Sequence, residues 1–195
     1  MARDVVIQAS DGDSLRDQPG IDPKGGQELP EDAAPSPDPS TAPAPVPVAP
    51  STLDIPSVGI SAPIVEGGAD GGEMVLPESS KVAQYTEAAP LEAKDGSTVI
   101  AGHVNFTDGS WGALGPLHQV REGDPVYVTD SEGEVRRYVV SRMSVLHKES
   151  LPYQIFRTQG ERQLVVVTCG GDVEKVGGEW VYTQNLVVYA MPVAS

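Results

Sequence analysis

Cys169 is the single cysteine among the 195 residues of the chain. It follows Leu164-Val165-Val166-Val167-Thr168 and precedes Gly170-Gly171. A β-branched apolar run of this kind reads as a buried strand, so the thiol falls at a strand end, on the rim of a sheet. The two glycines beyond it remove side-chain bulk and let a substrate backbone come close. The same position also suits a free cysteine packed as a small hydrophobe. His103 occupies a matching place, after Thr98-Val99-Ile100-Ala101-Gly102 and before a polar loop that begins at Asn105. A thiol and an imidazole at two strand ends meet the basic need of thiol catalysis. An imidazolium lowers the thiol pKa and later protonates a leaving amine. His103 equally suits a structural histidine, and the sequence does not say whether the two side chains meet. His118, after a Leu-Gly-Pro-Leu turn, and His147, beside Lys148 and Glu149, are less well placed.

Other chemistries find little support. One cysteine excludes an intramolecular disulfide and a multi-cysteine zinc site. Three separated histidines and scattered acids give no metal-ligand spacing, so no metal and no cofactor are expected. The Gly-Gly pairs at 67–68, 71–72, 170–171 and 177–178 lack the Lys-Ser/Thr of a phosphate loop and read as turns. A net charge of −15 with no basic patch argues against nucleic acid as a partner. No run approaches the ~18 apolar residues of a membrane span, and the N-terminus is too weakly apolar for a secretory signal.

The elements that must position Cys169 and His103 lie in the C-terminal three quarters. Residues 1–50 hold 10 of the 18 prolines, no aromatic residue, and nine acids against three basic residues. Residues 1–52 therefore read as a disordered acidic, proline-rich tail, and 53–195 as the folded domain. Dense proline over 35–50 favours an extended spacer with roughly 50 Å of reach at about 3.1 Å per residue. From Leu53 onward, short apolar runs alternate with Gly, Pro and acidic turns. Strands are expected over 53–65, 71–77, 97–104, 126–129, 135–146, 164–168 and 186–190. The segments 126–129 and 135–146 form a hairpin in which Tyr138, Val140 and Leu146 share a face. Helix is limited to single turns near Ser79–Tyr85, Ala113–Gln119 and Tyr153–Phe156. Roughly eight strands in about 140 residues imply an all-β barrel or sandwich.

Five segments occur in a telling order: Val-Ile-Ala-Gly-His103-Val, Gly-Ala-Leu-Gly-Pro-Leu, Gly123-Asp124-Pro-Val-Tyr-Val, Val-Val-Val-Thr168-Cys169-Gly-Gly, and Tyr182-Thr-Gln-Asn185-Leu-Val-Val-Tyr-Ala. From about Leu53 to Val193 the chain resembles the sortases of Gram-positive bacteria, most closely the actinobacterial class E/F type. The resemblance implies a closed eight-stranded β-barrel and a cysteine transpeptidase without cofactors. Cys169 is then the nucleophile that attacks the threonine carbonyl of an LPXTG-like sorting signal. His103 protonates the leaving amine and deprotonates the incoming one, the amine of a cell-wall precursor or pilin. Thr168 shapes the site and helps present an oxyanion donor.

Two departures accompany the resemblance. The family's Thr-Leu-x-Thr-Cys keeps only Thr168-Cys169 here. The family arginine on the last strand falls at Thr183, and no arginine follows Cys169. Thr183 offers one hydrogen bond without the charge or fork of guanidinium; Arg142, Arg157 and Arg162 are the candidates to reach in from elsewhere. A catalytically weak or inactive peptide-binding barrel is therefore the alternative reading. The resemblance also implies a place on the outer face of the cell membrane, held by an anchor absent from this chain, with a spacer of the composition seen at 35–50.

Overall fold

The computed structural model describes residues 51–70, 73–78, 80–106, 109–177 and 179–193. The expected tail lies outside these residues, save Ser51 and Thr52. The strands are β1 (Thr52–Ile55), β2 (Ile60–Gly67), β3 (Ala69–Asp70), β4 (Glu73–Met74), β5 (Val82–Tyr85), β6 (Ser97–Ala101), β7 (Pro125–Thr129), β8 (Val135–His147), β9 (Gln163–Val176) and β10 (Glu179–Pro192). Eight of them close a barrel in the order β1-β2-β5-β6-β9-β10-β8-β7, while β3 and β4 pair only with each other. Two neighbouring pairs, β2–β5 and β6–β9, are parallel; the other pairs around the barrel are antiparallel.

Two hydrophobic layers account for the residue pattern. The first draws on every barrel strand, with Leu53, Ile64, Val82, Ile100, Val126, Val140, Val166 and Val188 among its members, and so fills the barrel's interior. The second lies outside β5, β6, β9 and β10 and holds Val99, Ala101, Val165, Val167, Val187 and Tyr189. Leu151, Ile155 and Phe156, from the segment between β8 and β9, cover it. Strands sandwiched between two apolar layers need apolar residues on both faces. This is why β6 is buried at all five positions, and why Leu164–Val167 and Val187–Ala190 are continuous runs rather than alternating ones.

Several expectations need correction. Val82–Tyr85 is strand β5 rather than a helical turn, because it closes the barrel between β2 and β6. Leu146 does not share the face of Tyr138 and Val140. The β8–β10 register skips Ser141 between Val140 and Arg142, and a one-residue bulge turns every later side chain to the opposite face. Leu146 thus packs on the outer layer while Tyr138 and Val140 stay inside. Gly170-Gly171 lies within β9 rather than in a turn. Gly171, at φ +73, sits where the register shifts between Tyr182 and Gln184, a conformation that glycine adopts without strain. The other two expected turns are single 3-10 segments, Gly115–Gln119 and Tyr153–Phe156.

Candidate active site

The parallel β6–β9 ladder brings the two chemical residues to one end of the barrel. Ala101 is paired with Val167, and the Gly102 N–H carries the ladder one step further by donating to Val167 O at 3.2 Å. Two residues beyond each partner come His103 and Cys169, so both stand at the same level on neighbouring segments, where strands lie about 4.8 Å apart. His103 lies past the end of β6, but Cys169 is within β9 rather than at the expected strand end, because pairing with β10 carries β9 on to Val176. Thr168 locks this end. Its buried Oγ1 donates to the Gly102 carbonyl at 2.8 Å, joining the residue before Cys169 to the residue before His103. Cys169 and His103 are both buried, at 7% exposure each.

His103 is held by the loop that follows it. Gly112 N–H donates to Val104 O (3.0 Å), Leu114 N–H to His103 O (3.1 Å), and Asn105 bridges to Trp111. The loop thereby folds back over the histidine backbone. Gly112 is the residue of closest approach: a Cβ there overlaps the His103 carbonyl oxygen and lies 2.8 Å from the His103 Cβ. The imidazole packs on Phe106, ring centroids 5.3 Å apart.

A groove of about 500 Å³ opens beside the thiol. Thr168, Cys169, Gly170 and Gly171 line it along β9, Met143, Ser144 and Val145 along β8, and Val104, Trp111, Gly115 and His118 on the far side. Tyr182 and Leu186 of β10 complete the lining. This is a mainly apolar slot with a thiol at its edge, the form of a site for an extended chain. Trp111 is 69% exposed, an unusual state for a tryptophan unless something covers it. His103 is not itself on the lining and stands behind it, next to Val104. His118 reaches the groove wall, its Nδ1 donating to Gly115 O at 3.0 Å. His147 is exposed at the end of β8.

Thr183 falls in the register shift of β10, half-buried, and its Oγ1 donates to Asp172 O at 3.3 Å. The β10 residue directly opposite Cys169 is Asn185. Among the described residues no arginine lines the groove. Arg142 lies over the ring of Tyr189, 3.6 Å from its centroid; Arg157 donates to Glu161 O at 2.6 Å. Arg162 is buried and donates to Leu91 O, Thr98 Oγ1 and the Tyr138 hydroxyl. Among the described residues no group of His, Cys, Asp and Glu could hold a metal ion.

Sequence reasoning missed Gly112, Trp111 and Asn185 as contributors to the site. Gly112 and Asn185 stood in segments noticed for other reasons, but their places depend on a loop closing over His103 and on a cross-strand register.

The architecture has close parallels among solved structures. Sortase A from Corynebacterium diphtheriae, a lid mutant, superposes with a TM-score of 0.58 at 24% identity, covering 78% of this chain and 74% of that one. Sortase C-1 from Actinomyces oris gives 0.56 at 22% identity, with 74% of each chain covered. The pilus-related sortase C of Group B Streptococcus gives 0.58 at 18% identity over 76% of this chain and 69% of that one. No curated protein matches the chain. Identities this low speak for the fold alone, but the family model for the sortase domain matches residues 53–193, through every strand of the barrel and past both Cys169 and His103. The chain belongs to the sortase family of cysteine transpeptidases.

Proposed function

We propose that this domain is a working transpeptidase of the actinobacterial class E/F type, with Cys169 and His103 as its catalytic pair. The observation that carries the reading is the parallel β6–β9 register, which delivers both residues to one end of the barrel beside an apolar groove. An LPXTG-like sorting signal lies extended in the groove, with its threonine carbonyl at the sulfur. The Cys169 thiolate attacks that carbon, and a thioester forms as the following amide bond breaks. The leaving amine takes its proton from His103. An incoming amine, from a cell-wall precursor or a pilin subunit, gives a proton to His103, attacks the thioester and releases the Cys169 thiolate. Thr168 holds the strand ends together and so shapes the place where the oxyanion develops; donors at such a position are worth a few kcal/mol. Thr183 contributes to positioning the substrate from β10.

Sortases act at the bacterial cell surface. No helix among the described residues is long and apolar enough to cross a membrane. We assign this domain to the outer face of the cell membrane, with residues 1–52 as a spacer ahead of the barrel.

A second reading, peptide binding with slow or no turnover, is favoured by one observation. The three arginines that could reach in from another strand or loop are engaged elsewhere: Arg142 over the Tyr189 ring, Arg157 with the Glu161 carbonyl, and Arg162 with Leu91 O, Thr98 Oγ1 and the Tyr138 hydroxyl. A fluorogenic panel of LPXTG- and LAXTG-type peptides separates the two. Cleavage by the wild type that is lost in Cys169→Ala and His103→Ala supports the transpeptidase. Saturable binding with no Cys169-dependent cleavage supports the binder.

A further inference from the structure

Asn185 is fully buried, and neither its Nδ2 nor its Oδ1 has a hydrogen-bond partner among the described residues. Buried amides are nearly always paired, because an unpaired donor or acceptor gives up water for nothing in return. The register locates this amide. Its cross-strand neighbours are Leu146 on β8 and Cys169 on β9, and residues opposed in this way share one face of the sheet. Leu146 has no group to offer. Thr183, two residues back along β10, has its hydroxyl committed to Asp172 O. Of its two register partners, Cys169 is the one with a side-chain atom, Sγ, that can accept a hydrogen bond. Opposed Cβ atoms in antiparallel strands lie about 4.5–5.5 Å apart, which rotation of an amide side chain can span. Since both ends of the amide are unpaired, no existing bond opposes that rotation.

We propose that Asn185 is the thiolate donor of this site: its Nδ2–H hydrogen-bonds Sγ of Cys169 once the sulfur carries negative charge. The proton leaves Sγ for the imidazole of His103, and no other bond changes. A charge-assisted bond is roughly twice as strong as a neutral one, so the amide selects thiolate over thiol. The cost of burying it unpaired is carried by the resting state and relieved in the reactive one. The register thus sets Asn185, rather than a guanidinium, beside the nucleophile. The titratable and charged groups on the neighbouring strands are Arg136, Arg137, Tyr138, Arg142 and His147 on β8, Asp172, Glu174 and Lys175 on β9, and Glu179, Tyr182 and Tyr189 on β10, with Tyr85 on β5, His103 past β6 and Lys148 just past β8.

The proposal rests on Cys169 being the nucleophile, but its test needs no peptide. With one cysteine in the chain, thiolate ultraviolet absorbance and the rate of iodoacetamide alkylation report Cys169 alone, with Cys169→Ala as the blank. Asn185→Leu removes both polar groups and keeps the branched shape, with bulkier methyls in place of the amide O and NH2; Asn185→Gln retains the amide. We expect Asn185→Leu to melt no lower than wild type while its thiolate titration midpoint rises by about one unit, which slows alkylation near neutral pH about tenfold. Asn185→Gln should recover part of that rate. If the leucine variant does not fold, Asn185→Ala enters the same titration with the same expectation. An unchanged midpoint in a folded variant lacking the amide overturns the proposal. So does a wild-type midpoint with a lower melting temperature, which means the amide has a structural partner. Loss of peptide turnover alone bears on the transpeptidase reading; loss of the titration shift bears on Asn185.

Discussion

Replacing Thr168 by valine tests whether one hydrogen bond holds the catalytic end of the barrel together. Valine matches threonine in shape but lacks the hydroxyl that donates to Gly102 O at 2.8 Å. The site is 1% exposed, so water does not take over the abandoned carbonyl. Losing a net hydrogen bond and leaving one buried acceptor unpaired costs about 1–2 kcal/mol. A folded region of about 140 residues has an unfolding entropy near 0.3 kcal/mol per kelvin, so the melting temperature should fall by about 3–7 °C. Activity should fall further than stability. The bond spans the residues immediately before Cys169 and His103, and misplacing a catalytic pair by about 1 Å costs on the order of a hundredfold. The assay pairs thermal unfolding with kcat/KM for the best peptide of the panel, measured well below the transition. Thr168→Ser, which keeps the donor, should recover most of both losses. A Thr168→Val protein that melts with the wild type, or loses less than about twofold in kcat/KM, would refute the idea that this bond sets the geometry.

Four further outcomes follow from the same geometry. Gly112→Ala forces the loop off the His103 backbone, because its Cβ lies 2.6 Å from the His103 carbonyl carbon; kcat should drop by about 10–100-fold, with far-ultraviolet dichroism unchanged, and retained turnover would contradict the placement of His103. Trp111→Ala should leave stability within about 1 kcal/mol and raise KM on the order of tenfold, as measured by peptide saturation kinetics. Gly96→Ala combines φ +77 with a Cβ only 2.6 Å from the Thr158 backbone, so denaturant unfolding should show a loss of about 3 kcal/mol or more. Burial, helped by a 3.0 Å hydrogen bond to Glu87 and by its charge, pushes the Tyr85 hydroxyl from 10.0 up to about 12. Since the folded state favours the neutral phenol, this contribution is intact below pH 10 and drains away as pH rises toward 12; Tyr85→Phe should flatten the stability loss across that window and remove a step near pH 12 from a spectrophotometric tyrosine titration.

Much of this barrel could be read before folding, and the reasons differ from strand to strand. Leu164–Val167 and Leu186–Tyr189 announced themselves as central strands because both of their faces are apolar, as the two layers over β9 and β10 require. The β7–β8 hairpin was visible in Asp130-Ser131-Glu132-Gly133. Asp130 Oδ1 indeed accepts the N–H groups of Glu132 and Glu134, and Gly133 takes φ +82. Strand β5 was missed because Val82-Ala83-Gln84-Tyr85 is short and lacks alternation; distant partners on β2 and β6 make it a strand. The bulge at Ser141 has no local signature, so the face of Leu146 was misread. At the site, residue type and the apolar runs before them singled out Cys169 and His103, and the motif singled out Thr168; the strand end expected at Cys169 is absent because β9 pairs with β10 as far as Val176. Asn185 escaped notice because its meaning lies wholly in the register that sets it opposite Cys169.

The most direct test of the central claim is the mass of the intact protein, quenched in acid while turning over a cleaved LPXTG-type peptide. The account predicts an adduct equal to the peptide fragment ending at threonine, attached as a thioester at Cys169, removed by hydroxylamine, and absent from Cys169→Ala. An adduct on another residue, or Cys169-independent cleavage of the same peptide, would contradict it.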